Sequence, residues 1–196
     1  MDYFQITILL AFLFPLAYSP GPGNMFFAAN GARFGFRSTL GATTGYHLST
    51  LAVTFAIGSG FASILAIAPQ GLLVVKTVGA LYVLWLAWKL ATAGQPGNPD
   101  AQPATILDGA VLLVLNPKAY VIIALMFSQF LTTSSNLWNV AVVSMVFTIN
   151  NLVAFTIWTL IGDRLGRRLR GEHFGHYLNL GFGGILGTVG IWMLVS

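Results

Sequence analysis

The sequence contains no cysteine and very little charge. Its 196 residues include nine lysines and arginines and five aspartates and glutamates, and charged residues make up 7% of the chain, against about 25% in soluble domains. The absence of cysteine excludes disulfides, thiolate metal sites and thiol-based electron transfer. The scarcity of charge excludes a soluble domain of useful size, because too few polar side chains are present to cover its surface.

Apolar residues take the place of the missing charge. The chain is 56% hydrophobic and its mean hydropathy is +0.79, and apolar runs recur along its whole length. A helix that crosses a bilayer needs about 20 predominantly apolar residues. Runs of this kind predict six spans, at residues 4–32, 40–66, 72–90, 106–131, 138–161 and 178–195. The sequence therefore predicts an all-α integral membrane protein with the lipid bilayer as its surroundings.

A polar, turn-rich segment at residues 94–105 divides the six predicted spans into two groups of three. We expect a first three-helix repeat at residues 1–93 and a second at 106–196, joined by this linker within a single transmembrane domain. Because three is an odd number, the second repeat enters the membrane from the opposite side. The predicted fold is thus a pair of inverted repeats.

Helix-breaking clusters interrupt the first and fourth predicted spans, at residues 19–24 and 116–118. Backbone polar groups inside a membrane need partners, so a break is tolerated only where it faces protein, water or a ligand. Paired breaks in two halves of one chain are typical of transport sites, although two proline kinks can also arise by chance. The predicted midplane site contains Pro20, Gly21, Pro22, Asn24, Asn116, Pro117 and Lys118.

The chemistry of the breaks suits an α-amino acid. Proline lacks an N–H, so in a continuing helix the carbonyls of Leu16, Tyr18 and Leu113 lose their partners. A new half-helix, capped by serine or asparagine, presents N–H groups and a positive dipole end. Lys118, near the centre of its span, adds a charge that costs about 2.5–3.5 kcal/mol there. A carboxylate would bind the donors, and an ammonium group the freed carbonyls.

Other polar residues at membrane depth have two interpretations. In the second span, Thr43, His47, Thr50 and Thr54 share one helix face, and in the fifth span Ser144, Thr148 and Asn151 do the same. We assign the serines and threonines to hydrogen bonds that hold helices together. For His47, Asn150 and Asn151 such bonding and a functional role are both open. Asn150 and Asn151 join the predicted substrate site, and His47 is the candidate proton carrier.

Basic residues predict the orientation in the membrane. Arg33, Arg37, Lys89 and the cluster at 164–170 fall in loops on one side, whereas Lys76 is the candidate on the other. Cytoplasmic loops are enriched in lysine and arginine, so both termini should lie outside. The same rule explains the basic cluster without a nucleic-acid partner. Asp108 and Asp163 lie near span ends, where water and headgroups solvate them.

Small residues recur at helical spacing in two spans. They predict faces at which helices approach closely, either within one chain or between two copies in a homodimer. The predicted faces are Gly45, Ser49, Ala52 and Ala56 in the second span, and Gly183, Gly187 and Gly190 in the sixth.

Several motifs occur together in order: Pro20-Gly21-Pro22, the pair Gly41 and Gly45, residues 79–86, and Gly109 followed by Asn116-Pro117-Lys118. In this combination the chain resembles the LysE/RhtB family of bacterial amino-acid exporters. The resemblance implies a six-helix exporter of the bacterial inner membrane that moves small amino acids or derivatives outward by proton-coupled exchange, with a homodimer as one expected state. Residues 35–37 and 86–92 look similar to cysteine/O-acetylserine exporters.

One departure from the family pattern concerns the second span, where several family members carry an aspartate and this chain has Tyr46-His47. A role for an acid at that position is therefore in doubt here. The alternatives to an amino-acid exporter are a divalent-metal exporter of similar architecture, a non-transport membrane scaffold and an intramembrane enzyme. Hard cations prefer carboxylates, which the span centres lack. We expect no catalytic residue, no bound metal and no cofactor.

Overall fold

The computed structural model describes residues 3–61, 77–78, 80–85, 87–88, 91–92, 102–131, 136–168 and 174–195. This part of the chain is helical and contains no strand. Its α-helices are α1 (Tyr3–Tyr18), α2 (Pro22–Phe34), α3 (Leu40–Ala56), α4 (Ile106–Val114), α5 (Pro117–Phe130), α6 (Leu137–Arg168) and α7 (Phe174–Val195).

Some predictions fall outside the described residues. They concern parts of the third span at 72–90, the end of the second at 62–66, most of the linker at 94–105, and the basic residues Lys76, Lys89 and Arg170. The described residues between 77 and 91 are helical.

Two pairs of consecutive helices are sharply bent. The angle between α1 and α2 is 63°, and that between α4 and α5 is 61°. Pro22 and Pro117 begin the second helix of each pair, because the fixed φ of proline suits the first helical turn and its missing N–H prevents continuation from the helix before.

Among the described residues, α6 is the single helix that by length and composition could cross a membrane alone, and the number rises to three if each bent pair makes one span. At 32 residues, α6 extends about 48 Å, which exceeds the hydrocarbon thickness of about 30 Å. Six separate spans are therefore not recovered in the described residues. In the second predicted span, α3 has 17 residues and passes into a π-type turn at Ile57–Phe61.

Helix α6 is the centre of the bundle and packs against α1, α2 and α3. Its contact with α2 is made by glycines. A Cβ at Gly162 would meet the Ala28 carbonyl, and one at Gly166 would meet the Ala32 carbonyl. In lipid, helices associate through such close backbone approach, because burial against apolar tails offers no hydrophobic gain.

The predicted small-residue faces are only partly right. Gly45 packs against the backbone of Ile106 in α4, but Ala52 and Ala56 are exposed, since the close approach uses a single turn of α3. In α7, Gly183 lies against Ala87 and Ala91, and Gly190 against Leu84. The α7 face is therefore used within the chain.

The acidic residues predicted to be solvated at span ends also have protein partners, and Asp163 is buried rather than solvated. Asp163 is 8% exposed and accepts hydrogen bonds from Arg167 Nε at 2.7 Å and Nη2 at 2.9 Å. Gly35, with φ of 83°, turns the chain against this carboxylate. Asp108 forms a capping box with Thr105 at the start of α4. The chain after α2 and the end of α6 thus lie together at one end of the bundle.

The α2–α6 contact generates the first prediction. Gly162→Ala places a methyl group against the backbone carbonyl of Ala28, which no side-chain rotation relieves. We expect a loss of about 1–3 kcal/mol in unfolding free energy, measured by denaturant titration in detergent micelles. Gly184→Ala is the control, because its Cβ would meet nothing within 4 Å. Equal stability of the two variants would contradict the packing described.

Candidate functional site

Lys118 joins the two helix breaks. Its Nζ donates hydrogen bonds to the carbonyl oxygen of Ser19 at 2.8 Å and to Ser19 Oγ at 2.9 Å. The approach requires a glycine next to it, because a Cβ at Gly21 would lie 2.9 Å from Lys118 Cδ. A cation on the fourth predicted span is therefore bonded to the backbone of the first.

At the first break, side chains of the protein donate hydrogen bonds to the carbonyls that were expected to be free. Ser19 Oγ donates to Leu16 O at 3.1 Å, and Trp158 Nε1 donates to Tyr18 O at 3.2 Å. Asn24 is 2% exposed, and its Nδ2 donates to Ala17 O at 3.0 Å. The expectation of unpaired carbonyls at Leu16 and Tyr18 is wrong, because the chain supplies its own donors.

The start of α2 also differs from the expected cap. Gly21 is the capping residue, in extended conformation, and no side chain caps the helix. The first-turn N–H groups of an α-helix have no partner within the helix. The N-terminus of α2, with Gly23 and Asn24 buried in its first turn, therefore directs uncapped donors and a positive dipole end toward the break.

At the second break, Asn116 has the predicted capping role. Its Oδ1 accepts a hydrogen bond from Lys118 N at 3.2 Å, and its own N–H donates to Leu113 O at 2.9 Å, so that carbonyl is not free either. The Asn116 side chain is 4% exposed, and its Nδ2 donates to Tyr46 Oη at 3.0 Å. Tyr46 on α3 thereby fixes the residue from which α5 begins.

An aromatic cluster lies beneath the breaks. The ring of Tyr46 is 5.7 Å from that of Phe27 and 4.7 Å from that of Phe155, and Phe27 and Tyr46 are 0% and 1% exposed. Gly23 fits against this cluster, since a Cβ there would lie 2.6 Å from Phe155 Cζ. The buried side of the breaks is thus closed by rigid rings, and little room for a large side chain remains there.

The remaining predicted site residues are also buried. The side chain of Asn151 on α6 lies next to Tyr46 and its backbone next to His47, and the His47 ring is 5.5 Å from that of Phe155. His47 Nδ1 lies 2.7 Å from the carbonyl of Thr43. Because a carbonyl only accepts, we assign the hydrogen to Nδ1, which leaves Nε2 as the acceptor in neutral imidazole.

The hydrogen bonds of Lys118 go to Asn116 and Ser19, and none in the described residues joins it to His47, Asn150 or Asn151. Asn151 reaches the second break through Tyr46 and Asn116, whereas Asn150 is buried and its Nδ2 has no hydrogen-bond partner among the described residues. The structure therefore brings Ser19, Gly21 and Lys118 of the two breaks into contact, with Asn116 and Asn24 as supports. Pro22 and Pro117 begin the helices that follow the breaks. His47, Asn150 and Asn151 form an adjoining buried layer, which Tyr46 connects to Asn116.

Two residues important to this geometry were not in the predicted site. Ser19 lies inside the first cluster, where the sequence predicts a serine only as a cap, and Tyr46 stands beside the position at which several family members carry an aspartate. The signal for Tyr46 was available in the sequence, since a hydroxyl at membrane depth needs a partner. No sequence signal identifies Ser19 as the acceptor for a lysine 99 residues away.

Electrostatically, the site favours an anion. The half-buried Lys118 occupies the first turn of α5, where the positive end of the helix dipole adds to its charge. Its bonded partners in the described chain are the uncharged oxygens of Ser19. A cation without a counter-ion in a low-dielectric setting is costly, so a ligand carboxylate would lower the energy of this arrangement. Within the described residues no three histidine or acidic side chains converge.

Comparison with known proteins identifies the family. The model of the LysE type translocator family matches residues 14–196, which include both breaks and the aromatic cluster. The chain belongs to this family of translocators. No solved structure matches it.

Three relatives of this LysE type translocator are named as membrane or efflux proteins. An uncharacterized membrane protein of Vibrio cholerae is 27% identical over 197 residues, covering 96% of this chain and 94% of its own. The cysteine/O-acetylserine efflux protein of Escherichia coli K12 is 29% identical over 172 residues, and that of Salmonella typhimurium 28% over 166; both alignments cover 84% of each chain. The resemblance predicted from the motifs is confirmed, and this chain is an integral membrane protein.

The link between Tyr46 and Asn116 generates the second prediction. Tyr46→Phe retains the ring but leaves the buried Asn116 amide without its acceptor, which should cost about 1–3 kcal/mol of stability. The measurement is the unfolding free energy in micelles. Tyr3→Phe is the matched control, since Tyr3 is 92% exposed. A loss no larger than that of the control would contradict a supporting role for Tyr46.

Proposed function

We propose that this translocator exports small amino acids or their derivatives from the cytoplasm across the bacterial inner membrane, as a proton-coupled secondary transporter whose substrate site lies between the two helix breaks. The observation that carries the proposal is the Lys118 ammonium group bonded to Ser19 across the breaks. Efflux of cysteine and O-acetylserine by named relatives supports the substrate class.

In this proposal each α1–α2 and α4–α5 pair forms one broken span, and the spans belong to two inverted repeats. The similar bends of 63° and 61° support the assignment. Broken spans of this kind place helix N-termini at the membrane midplane, where they bind anionic substrate groups. The N-terminus of α5 carries Lys118, and that of α2 carries uncapped N–H groups.

The substrate exchanges partners with the lysine. In the structure, Ser19 provides the two oxygens that hold Lys118 Nζ. An incoming carboxylate is a stronger acceptor than a neutral oxygen, so it replaces Ser19 on the lysine. The carbonyl of Ser19 is then free to accept from the substrate ammonium. Because Ser19 and Pro20 are exposed, the exchange takes place at a reachable edge of the breaks.

This exchange suits alternating access. While Lys118 is bonded to Ser19, a direct hydrogen bond connects the α1–α2 span to the α4–α5 span. When the substrate binds both residues, contacts through the ligand replace that hydrogen bond. A ligand shifts a conformational equilibrium only by its differential affinity for the two states. The exchanged hydrogen bonds supply that difference. The rigid aromatic rings and the tight fit around Gly23 favour small side chains.

Coupling to protons is assigned to His47. Its Nε2 is buried and has no hydrogen-bond partner in the described residues, and Tyr46 links its layer to Asn116 at the second break. The side of the membrane follows from the arginines at the ends of α2 and α6, which share one end of the bundle. By the positive-inside rule that end faces the cytoplasm, which places both termini outside.

The third prediction tests the site. In proteoliposomes loaded with a panel of amino acids that includes cysteine, O-acetylserine, leucine and lysine, we expect efflux of the small members under an imposed pH gradient. Lys118→Met retains the length of the side chain and removes its charge, and efflux should fall at least about tenfold, which corresponds to loss of one charge-assisted interaction. Lys118→Arg should retain part of the activity.

The matched control is Gln129→Met, an exposed position on the same helix, which should leave efflux unchanged. Protein amount in the vesicles is measured for each variant. If Lys118→Met transports at the rate of the control, the site assignment is wrong; if the unsubstituted protein moves none of the amino acids, the proposed function is wrong.

A further inference from the structure

Helices α3 and α6 run antiparallel in a fixed register that can be read from two contacts. Near the breaks, His47 faces Asn151. Eleven residues further along the chain, in the π-type turn that continues α3, a Cβ at Gly58 would lie 2.6 Å from Cγ1 of Val140, which precedes Asn151 by eleven residues on α6. Eleven residues complete about three helical turns, so both contacts lie on the same face of each helix.

On the two helix faces that carry these contacts, the positions between them are polar, and apolar residues such as Val53 and Phe147 lie beside them. Because the helices are antiparallel, a residue after His47 on α3 lies opposite the residue that precedes Asn151 by the same number of positions on α6. This register pairs Thr50 with Thr148 and Thr54 with Ser144. All of these side chains are buried, with Thr50, Thr54 and Ser144 at 0% exposed and Thr148 at 8%. Together with His47 they form a polar ladder, about 10 Å long, between two helices of the bundle.

The ladder contains polar atoms that the protein does not satisfy. Thr50 and Thr148 donate to carbonyls of their own helices, at 2.8 Å each, and keep lone pairs for a further donor. Thr54 Oγ1, Ser144 Oγ and His47 Nε2 are buried without a hydrogen-bond partner among the described residues. The register places these hydroxyls on facing sides of the two helices, where a bridging water would satisfy both.

We propose that the polar ladder between α3 and α6 holds a short chain of bound water that leads from the Ser144 end to His47 Nε2 and delivers the coupling proton. Roughly three waters at hydrogen-bond spacing span the ladder. Each meets the two to four polar partners that a buried water requires. The chemistry fits water better than a metal ion, because the ladder offers hydroxyls and an imidazole but no carboxylate.

The proton balance is simple. A proton enters at the Ser144 end, passes along the hydroxyls and waters, and is held at Nε2, which forms imidazolium because Nδ1 already carries its hydrogen. On release, Nε2 returns the proton and the neutral tautomer is restored. Of the described groups in contact with the ring, Tyr46 is titratable and Phe155 and Asn151 are not, and Lys118 is connected only through Asn116 and Tyr46.

The route has a direction that rests on the proposed function and on its orientation. Residues after Thr54 lead away from the arginine-rich end of the bundle and therefore toward the outside. At Gly58 the ladder ends against Phe127 and Val140, which separate it from the exterior in this conformation. A proton that enters from outside while an amino acid leaves is the exchange expected of a proton-coupled exporter.

The fourth prediction uses near-isosteric variants. Thr54→Val and Ser144→Ala remove ladder hydroxyls without adding bulk, and Thr44→Val, an exposed threonine on the same helix, is the control. Proton movement is followed with a pH-sensitive dye trapped in proteoliposomes. Cysteine is the first substrate, and the best substrate from the amino-acid panel takes its place once it is known. The ladder variants should slow substrate-driven proton movement about tenfold. Counterflow of radiolabelled substrate, which needs no net proton transfer, should stay within about twofold of the control.

Hydration is measured separately by radical footprinting, in which a short X-ray pulse converts bound water to hydroxyl radicals that oxidise adjacent side chains. Phe155, beside His47 at the end of the ladder, should be labelled several-fold more than Phe147, which is equally buried but belongs to an apolar cluster. In Thr54→Val the excess labelling of Phe155 should be lost.

The outcomes are distinct. Equal labelling of Phe155 and Phe147 would show a dry ladder and overturn the proposal. Labelling that persists while Thr54→Val moves protons at the control rate would overturn the proton route. Transport without any proton movement in the unsubstituted protein would also overturn the proton route, but it would leave amino-acid export intact. Absence of transport would count against the proposed function itself.

Discussion

The bond between the Lys118 ammonium group and Ser19 is the constraint on which the centre of the molecule depends. A lysine within the apolar part of a membrane protein needs partners close by, and a continuous helix has no free carbonyl to offer. The chain meets this need by interrupting its first helix, so that the carbonyl and hydroxyl of Ser19 face the lysine at 2.8 and 2.9 Å. Position 21 is a glycine because the aliphatic part of the Lys118 side chain passes over it and leaves no space for a Cβ.

Other features follow from holding that lysine in place. Asn116 caps α5 and fixes its first turn, and Tyr46 holds Asn116 from a neighbouring helix. The backbone of the first break is satisfied by Asn24 and Trp158, so the break is structured without a ligand. Side chains from α2, α3 and α6 thus support two interruptions that would be unstable alone in an apolar environment.

The sequence predicted those parts of the fold that are set by local chemistry. Proline at the first turn located the start of α2 and α5, and asparagine before Pro117 predicted a cap. The motif resemblance was sufficient to identify the family. The contact partners were not predictable, because they depend on helix rotation: 99 residues separate Lys118 from Ser19 and 70 separate Asn116 from Tyr46. For the same reason small residues predicted that helices pack closely but not which face does so.

In the proposed mechanism the substrate carboxylate replaces Ser19 as the partner of Lys118. A double-mutant cycle between protein and ligand measures the coupling between the lysine and the carboxylate directly. Binding of cysteine and of its amide, which lacks the carboxylate, is compared by titration in the unsubstituted protein and in Lys118→Met. The account predicts that the unsubstituted protein prefers the acid by at least about tenfold, equivalent to roughly 1.4 kcal/mol, and that Lys118→Met binds both weakly and alike. An undiminished preference for the acid in Lys118→Met would contradict it.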